Sequence, residues 1–211
     1  MNQLDIFGNT VKSNVVKITH DGFTVIENGE YLYLPNFFAN IESNFFLNEL
    51  RKKIQWKQES MNMYGKKIDF PRLTAWYGNN DKPYSFSGIT LQPLPWNDEI
   101  LAIKNKIETK ANTEFNSVLL NLYRDGNDSI SWHTDAEKEL GKNPIIASVN
   151  FGETRKFQLR HIITKEKLEL ELKHGSLLIM QGELQHFWQH QVPKTKEVKK
   201  ERINLTFRII K

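Results

Sequence analysis

"ERINLTFRII", residues 201–210, alternates without a break. Ile203, Leu205, Phe207 and Ile209 fall on one side of an extended strand, and Arg202, Asn204, Thr206 and Arg208 on the other. The apolar row is a core face. The opposite row carries two guanidiniums, about 20 Å apart at about 3.3 Å per residue. Two long side chains leaning together leave room for one small dicarboxylate, which arginine grips through paired, charge-assisted hydrogen bonds. Taken alone, such a row is more simply a solvated strand face. Its surroundings decide between the two readings.

Those surroundings are strands. From Phe115 onward the pattern is β: "FNSVLLNLY", "SISWH", "IIASVNFG", "RKFQLRH", "KLELELK", "SLLIM", "HFWQHQV" and the quoted stretch, with turn signals at "RDGND", "GKNP" and "KHGS". About eight short strands at this spacing predict a sandwich or jelly roll. "PKTKEVKKER" reads as an exposed connection between the last two strands. Upstream, "FTVIENGEYLYLPNFF" reads as strand, turn, strand. Residues 40–53 and 97–111 have helical spacing, the second capped by Asn97. Residues 54–78 read as short strands around a hairpin tipped at Tyr64-Gly65, and residues 1–20 as a loose arm.

Composition narrows the chemistry. The chain has 211 residues, 39% hydrophobic, enough for one sizeable core. Cysteine is absent, which excludes a disulfide framework, a thiol nucleophile and a thiolate metal site. The start lacks a basic, apolar leader, and no stretch approaches a membrane span, so the expectation is an intracellular, cytoplasmic protein (nuclear if eukaryotic) with no membrane partner. The net charge of +4 leans towards a polyanionic partner.

"SISWHTDAE" places His133 and Asp135 two apart, so on a strand or at its end both project the same way. "LQHFWQHQVP" offers a third ligand in His186 or His190. Two histidines and a carboxylate form the facial arrangement of non-haem Fe(II), with three positions left open. An H-x-D motif is common by chance, but here the two arginines follow about a dozen residues after His190. Iron beside a dicarboxylate slot suggests 2-oxoglutarate as co-substrate. His20, His161 and His174 read as surface or strand-end residues.

The set as a whole resembles the AlkB family of Fe(II)- and 2-oxoglutarate-dependent dioxygenases, nearest to the branch repairing alkylated double-stranded DNA. The resemblance runs from about Tyr64 to the end, through "TAWYGNNDKPYSFSGITLQPLPW", "NLYRDGNDSISWHTDAEKEL", "IASVNFGETRKFQLRH", "HGSLLIM" and "RINLTFR". It implies an α+β fold with a double-stranded β-helix (jelly roll) core and flanking helices. Residues 21–211 then form a single catalytic domain, with a nucleotide-recognition hairpin region at about 54–92. His133, Asp135 and His190 match the iron ligands, His190 rather than His186 because it precedes "QVPK". Arg202 matches the partner of the far carboxylate of 2-oxoglutarate and Arg208 the arginine near the metal-bound end. Asn121, Tyr123 and Thr206 match or accompany groups that hold the co-substrate.

Tyr84 and Phe86 match residues lining a base pocket, where Phe86 and His133 would sandwich a flipped base. Glu137 matches an acceptor for an exocyclic amine, while Ala136 departs from relatives that are acidic there. Met63, Tyr64 and Gly65 match a hairpin that wedges into the duplex. Arg72 and the lysines at 66, 67, 194, 196, 199 and 200 are candidates to meet phosphates, the alternative for most of them being a solvated surface charge. The implied activity is oxidative demethylation of bases such as 1-methyladenine and 3-methylcytosine in DNA, using Fe(II), dioxygen and 2-oxoglutarate, by a monomer. The metal ligands are expected to be the only catalytic residues. Two alternatives stand beside it: the same chemistry on single-stranded DNA, RNA or protein, and a non-catalytic jelly-roll module that binds nucleic acid.

Overall fold

A computed structural model of the chain describes residues 3–4, 10–11, 17–63, 66–79, 84–86 and 89–211. The strands Gln3–Leu4, Thr10–Val11, Tyr84–Phe86 and Ile89–Leu91 and residues 62–63 are described by backbone alone. Two antiparallel sheets face each other. The major sheet runs, in spatial order, Lys17–Ile18, Thr24–Ile26, Gly29–Leu34, Ser176–Gln181, Ile146–Gly152, Arg202–Arg208, Ser117–Tyr123 and Leu73–Gly78. The minor sheet runs Ile130–His133, Trp188–Val192, Arg155–His161 and Lys167–Leu172. From Ser117 onward the chain crosses between the sheets at every step but the one from Arg155–His161 to its neighbour Lys167–Leu172, which is the jelly-roll arrangement.

The final strand lies in the middle of the major sheet, and its register builds both faces. Phe207 sits between Ala147 and Val118, Leu205 between Val149 and Leu120, and Ile203 between Phe151 and Leu122. These fully or nearly buried rows meet two helices, Asn40–Lys53 and Asp98–Ala111, which contribute Phe46, Leu50, Ile100, Ile103 and Ile107. The helices form where the apolar spacing predicts them. Asn97 caps the second by accepting a hydrogen bond from the Ile100 amide at 2.9 Å.

The other face of the same three strands looks at the minor sheet. Its rows are Ser148–Thr206–Leu119, Asn150–Asn204–Asn121 and Gly152–Arg202–Tyr123. A second apolar cluster seals the outer part of this interlayer, with Phe157, Leu159, Leu172, Leu178, Met180, Trp188 and Val192. The polar row of the last strand is therefore interior: Arg202 is 1% exposed and Arg208 3%. The connection 193–201 does join the last two strands, but its expected final residue, Arg202, is already buried in the sheet. Residues 186 and 187, expected to open a strand, lie in the short helix Leu184–Phe187. His161 ends its strand as expected, yet it is buried, stacked on Phe187 and bonded through Nε2 to Asn28 Oδ1.

Ser60–Met63 and Lys66–Asp69 pair antiparallel as a hairpin, Met63 opposite Lys66. Its tip, Tyr64 and Gly65, lies outside the described residues, as do the side chains of Met63, Tyr84 and Phe86.

Candidate metal and co-substrate centre

His133 ends the edge strand of the minor sheet, and its cross-strand partner is His190. The register puts both imidazoles on the inner side, ring centroids 4.3 Å apart. Asp135 follows His133 by two residues, and its Oδ1 lies 3.9 Å from His133 Nε2. One ligand atom from each of the three lies within 4.8 Å of the others. His186, the alternative ligand, is on the short helix and faces Asn143, with Nε2 3.0 Å from Asn143 Oδ1.

Asp135 is anchored from two sides. Its amide donates to Gln185 Oε1 at 2.9 Å, and its Oδ2 accepts from Arg208 Nη2 at 2.9 Å. Its other oxygen, Oδ1, is buried with no hydrogen-bond partner among the described residues, as is His190 Nδ1. Buried polar atoms without partners are costly, and a ligand removes that cost. Burial alone would raise the Asp135 pKa. The Arg208 guanidinium, with the two histidines, instead holds it well below the usual carboxylate range. Burial pushes His190 down to about 3, helped by His133, so the ring is neutral at physiological pH. A neutral imidazole and an ionised carboxylate are the forms that ligate a metal.

The co-substrate residues continue from this cluster along the inner face of the major sheet. One pocket is lined by His133, Asp135 and His190 at one end, Arg208, Thr206 and Asn204 along its floor, and Arg202, Tyr123 and Asn121 beyond. Arg202 Nε and Nη1 are buried donors with no hydrogen-bond partner among the described residues. Its guanidinium lies 4.9 Å from the Tyr123 ring centroid, and burial lowers its pKa to about 10. A charged fork with free donors, facing a pocket whose far end is a His/Asp/His cluster, fits a molecule with a carboxylate at each end. His133, Asp135 and His190 suit a non-haem Fe(II) ion, and Arg202 and Arg208 suit 2-oxoglutarate.

A second cavity, of about 320 Å³, opens on the other side of His133. Met61, Phe70, Pro71, Ile130 and Trp132 give it apolar walls, and Arg72 and Glu137 bring charge to it. Arg72 is not the surface contact that its basic character suggested. It is 4% exposed, donates from Nε to Asn121 Oδ1 at 2.8 Å and from Nη1 to the Ser129 carbonyl, and lies over the Phe70 ring. A guanidinium held this way links the second cavity to the co-substrate pocket through Asn121.

Sequence reasoning passed over Asn204 and Ser148, which line the pocket, and Asn150 and Gln185, which stand beside it. Asn204 was visible in the alternation of the last strand. The others carry no local signal, because each acts on a residue more than 45 positions away.

The chain is similar to proteins of known kind. A model of the 2OG-Fe(II) oxygenase superfamily matches residues 30–208. The "Alpha-ketoglutarate-dependent dioxygenase alkB homolog 3" of Homo sapiens is 41% identical over 186 residues, covering 83% of this chain and 64% of its own length. The "DNA oxidative demethylase ALKBH2" of Homo sapiens is 37% identical over 184 residues, covering 82% of this chain and 70% of its own. The chain thus spans 64% of the human alkB homolog 3 that it matches. A solved structure, "The structure of OsALKBH1", shares the fold with a TM-score of 0.57 at 16% identity, over 84% of this chain and 97% of that one. With the family model spanning the fold from its third major-sheet strand to its last, and with relatives of this closeness, the chain belongs to the 2OG-Fe(II) oxygenase superfamily and, within it, to the AlkB family.

Proposed function

We propose that the protein is an Fe(II)- and 2-oxoglutarate-dependent dioxygenase that demethylates alkylated bases such as 1-methyladenine and 3-methylcytosine in DNA. The observation that carries this reading is the single line from Arg202, through the His133/Asp135/His190 cluster, to the cavity beyond His133. With Fe(II), 2-oxoglutarate and dioxygen bound, the centre supplies hydroxylation of an N-methyl carbon coupled to conversion of 2-oxoglutarate to succinate and carbon dioxide. The hydroxymethyl product then releases formaldehyde and, after a proton leaves to solvent, the ring nitrogen of the repaired base is again a bare acceptor.

The chain's own residues orient and enclose. Arg202 receives the far carboxylate, and burial of its charge, relieved by that carboxylate, makes it selective for diacids. Arg208 neutralises Asp135 and fixes the carboxylate's orientation. Ile130, Phe157, Leu172, Met180 and Val192 keep water from the co-substrate. His133 borders both cavities, so a base entering the second one presents its edge at the metal side. Glu137 accepts a hydrogen bond from an exocyclic amine there, and Tyr84 and Phe86 complete the base pocket. Met63, Tyr64 and Gly65 at the hairpin tip fill the gap left by a base drawn out of a duplex. We assign the enzyme double-stranded DNA as its partner, a monomeric state, and a place inside the cell where that DNA is.

Mass spectrometry of methylated oligonucleotides, single- and double-stranded DNA and RNA, tests the reading. The expected result is loss of 14 Da per lesion (one CH₂, a consequence of demethylation) with stoichiometric succinate, abolished by His133→Ala. Absence of both from every substrate overturns it. Replacing Met63 and Tyr64 with Ala is expected to slow duplex repair about tenfold or more and single-strand repair little, since only a duplex leaves a gap to fill. Equal slowing removes the wedge.

A further inference from the structure

Arg202 is a buried guanidinium whose side-chain partner in the structure is not a carboxylate but the neutral amide of Asn150. Arg202 Nη2 donates to Asn150 Oδ1, while Nε and Nη1 have no hydrogen-bond partner among the described residues. Asn150 is 1% exposed and does not line the co-substrate pocket; it lies beside it, cross-strand from Asn204 on the same face of the major sheet. Its amide orientation is fixed on every side. Nδ2 donates to the Ser148 carbonyl and to Ser176 Oγ, both at 3.3 Å, and Oδ1 also accepts from Asn204 Nδ2 at 3.2 Å. Asn204 in turn bonds Ser148 Oγ and receives a bond from Thr206 Oγ1.

We propose that Asn150 is a positioning residue that aims Arg202 at the far carboxylate of the co-substrate while leaving its charge uncompensated. This rests on the 2-oxoglutarate reading above. A carboxylate at position 150 would pair with the guanidinium permanently, and the incoming diacid would then have to compete with a resident anion. An apolar side chain would leave Arg202 and Asn204 without their shared acceptor. The neutral carbonyl oxygen satisfies one donor, holds the fork in plane and keeps the charge available. The Tyr123 ring contributes from the other side. It lies 4.9 Å from Arg202 and 5.7 Å from Arg155, and Arg155 is pinned by the carbonyls of Asp125, Asp128 and Pro193.

The test compares two 2-oxo acids by calorimetric titration of the Mn(II)-loaded protein without oxygen. 2-Oxoglutarate has the far carboxylate and 2-oxopentanoate lacks it. Asn150→Asp is expected to weaken 2-oxoglutarate binding at least about tenfold, because the guanidinium no longer offers its full charge to the incoming carboxylate, and to leave 2-oxopentanoate binding within about twofold. Asn150→Ser keeps a neutral group on a shorter stem and is expected to weaken 2-oxoglutarate about threefold with the same indifference of the monoacid, which preserves the comparison if the aspartate variant does not fold. Wild-type affinity for 2-oxoglutarate in either folded variant, or equal weakening of both acids, overturns the role of Asn150. A wild-type protein that does not prefer the diacid overturns the co-substrate reading itself.

Discussion

At the scale of single residues, the centre is a set of charges kept out of water. Arg202 and Arg208 differ by their partners. Arg208 is already paired with Asp135, whereas Arg202 has only neutral partners among the described residues, and it is the proposed anion site. Lysine cannot reproduce the planar fork, so Arg202→Lys is expected to raise the KM for 2-oxoglutarate at least about tenfold with a smaller change in kcat. Steady-state kinetics read as two separate parameters check this. His190 supplies a pH dependence whose sign follows from its depressed pKa. The folded ring stays neutral down to about 3, while the unfolded ring takes up a proton near 6.5. Between those values the unfolded state binds more protons, so stability is full above pH 6.5 and falls as pH drops, by up to about 1.4 kcal/mol per unit. Asp135, also held low, adds a loss of the same sign below its unfolded value. Urea titrations of the metal-free protein between pH 7.5 and 4.5 should show this slope, and His190→Gln should flatten it by about one proton.

At the scale of elements, alternation and capping did most of the work. The two helices and the eight strands from Ser117 onward fall close to where apolar spacing predicts, because each carries an apolar row that the core buries. Asn97→Ala removes the cap on the helix Asp98–Ala111, far from the pocket. It should cost about 1 kcal/mol, seen as a fall of about 2–4 °C in Tm, with turnover unchanged. The strand Arg202–Arg208 carries the opposite lesson. Its polar row looks like a water face, and only its central place between Ile146–Gly152 and Ser117–Tyr123 turns that row inward. Gly152 permits the close start of this strand. It has φ +93°, and a Cβ there would press on the Glu201 carbonyl oxygen, so the residue opposite Arg202 must be glycine.

At the scale of the whole molecule, the site is a seam. The minor sheet brings His133 and His190, the major sheet Arg202 and Arg208, and Asp135 bridges them through its bond to Arg208. A metal and a diacid bound there join the two layers and stabilise the entire fold. With both at about 100 times their Kd, each contributes about 2.7 kcal/mol. Thermal unfolding with Mn(II) and 2-oxoglutarate should therefore rise by about 10–20 °C over the chelated protein. His133→Ala should lose most of the rise, and an unshifted Tm in the wild type would deny the seam a ligand.

The amino-acid sequence by itself determined what depends on near neighbours: the helices, the strands, the cap at Asn97 and the H-x-D pair, since two residues along a strand share a side. Its family motif also separated His190 from His186. The tertiary structure alone decided what depends on distant ones. It turned the arginine row inward, buried Arg72 against Asn121 and Ser129, and set the neutral Asn150 against Arg202. The reason is physical: periodicity specifies which side chains share a face, but sheet order and register specify what that face meets.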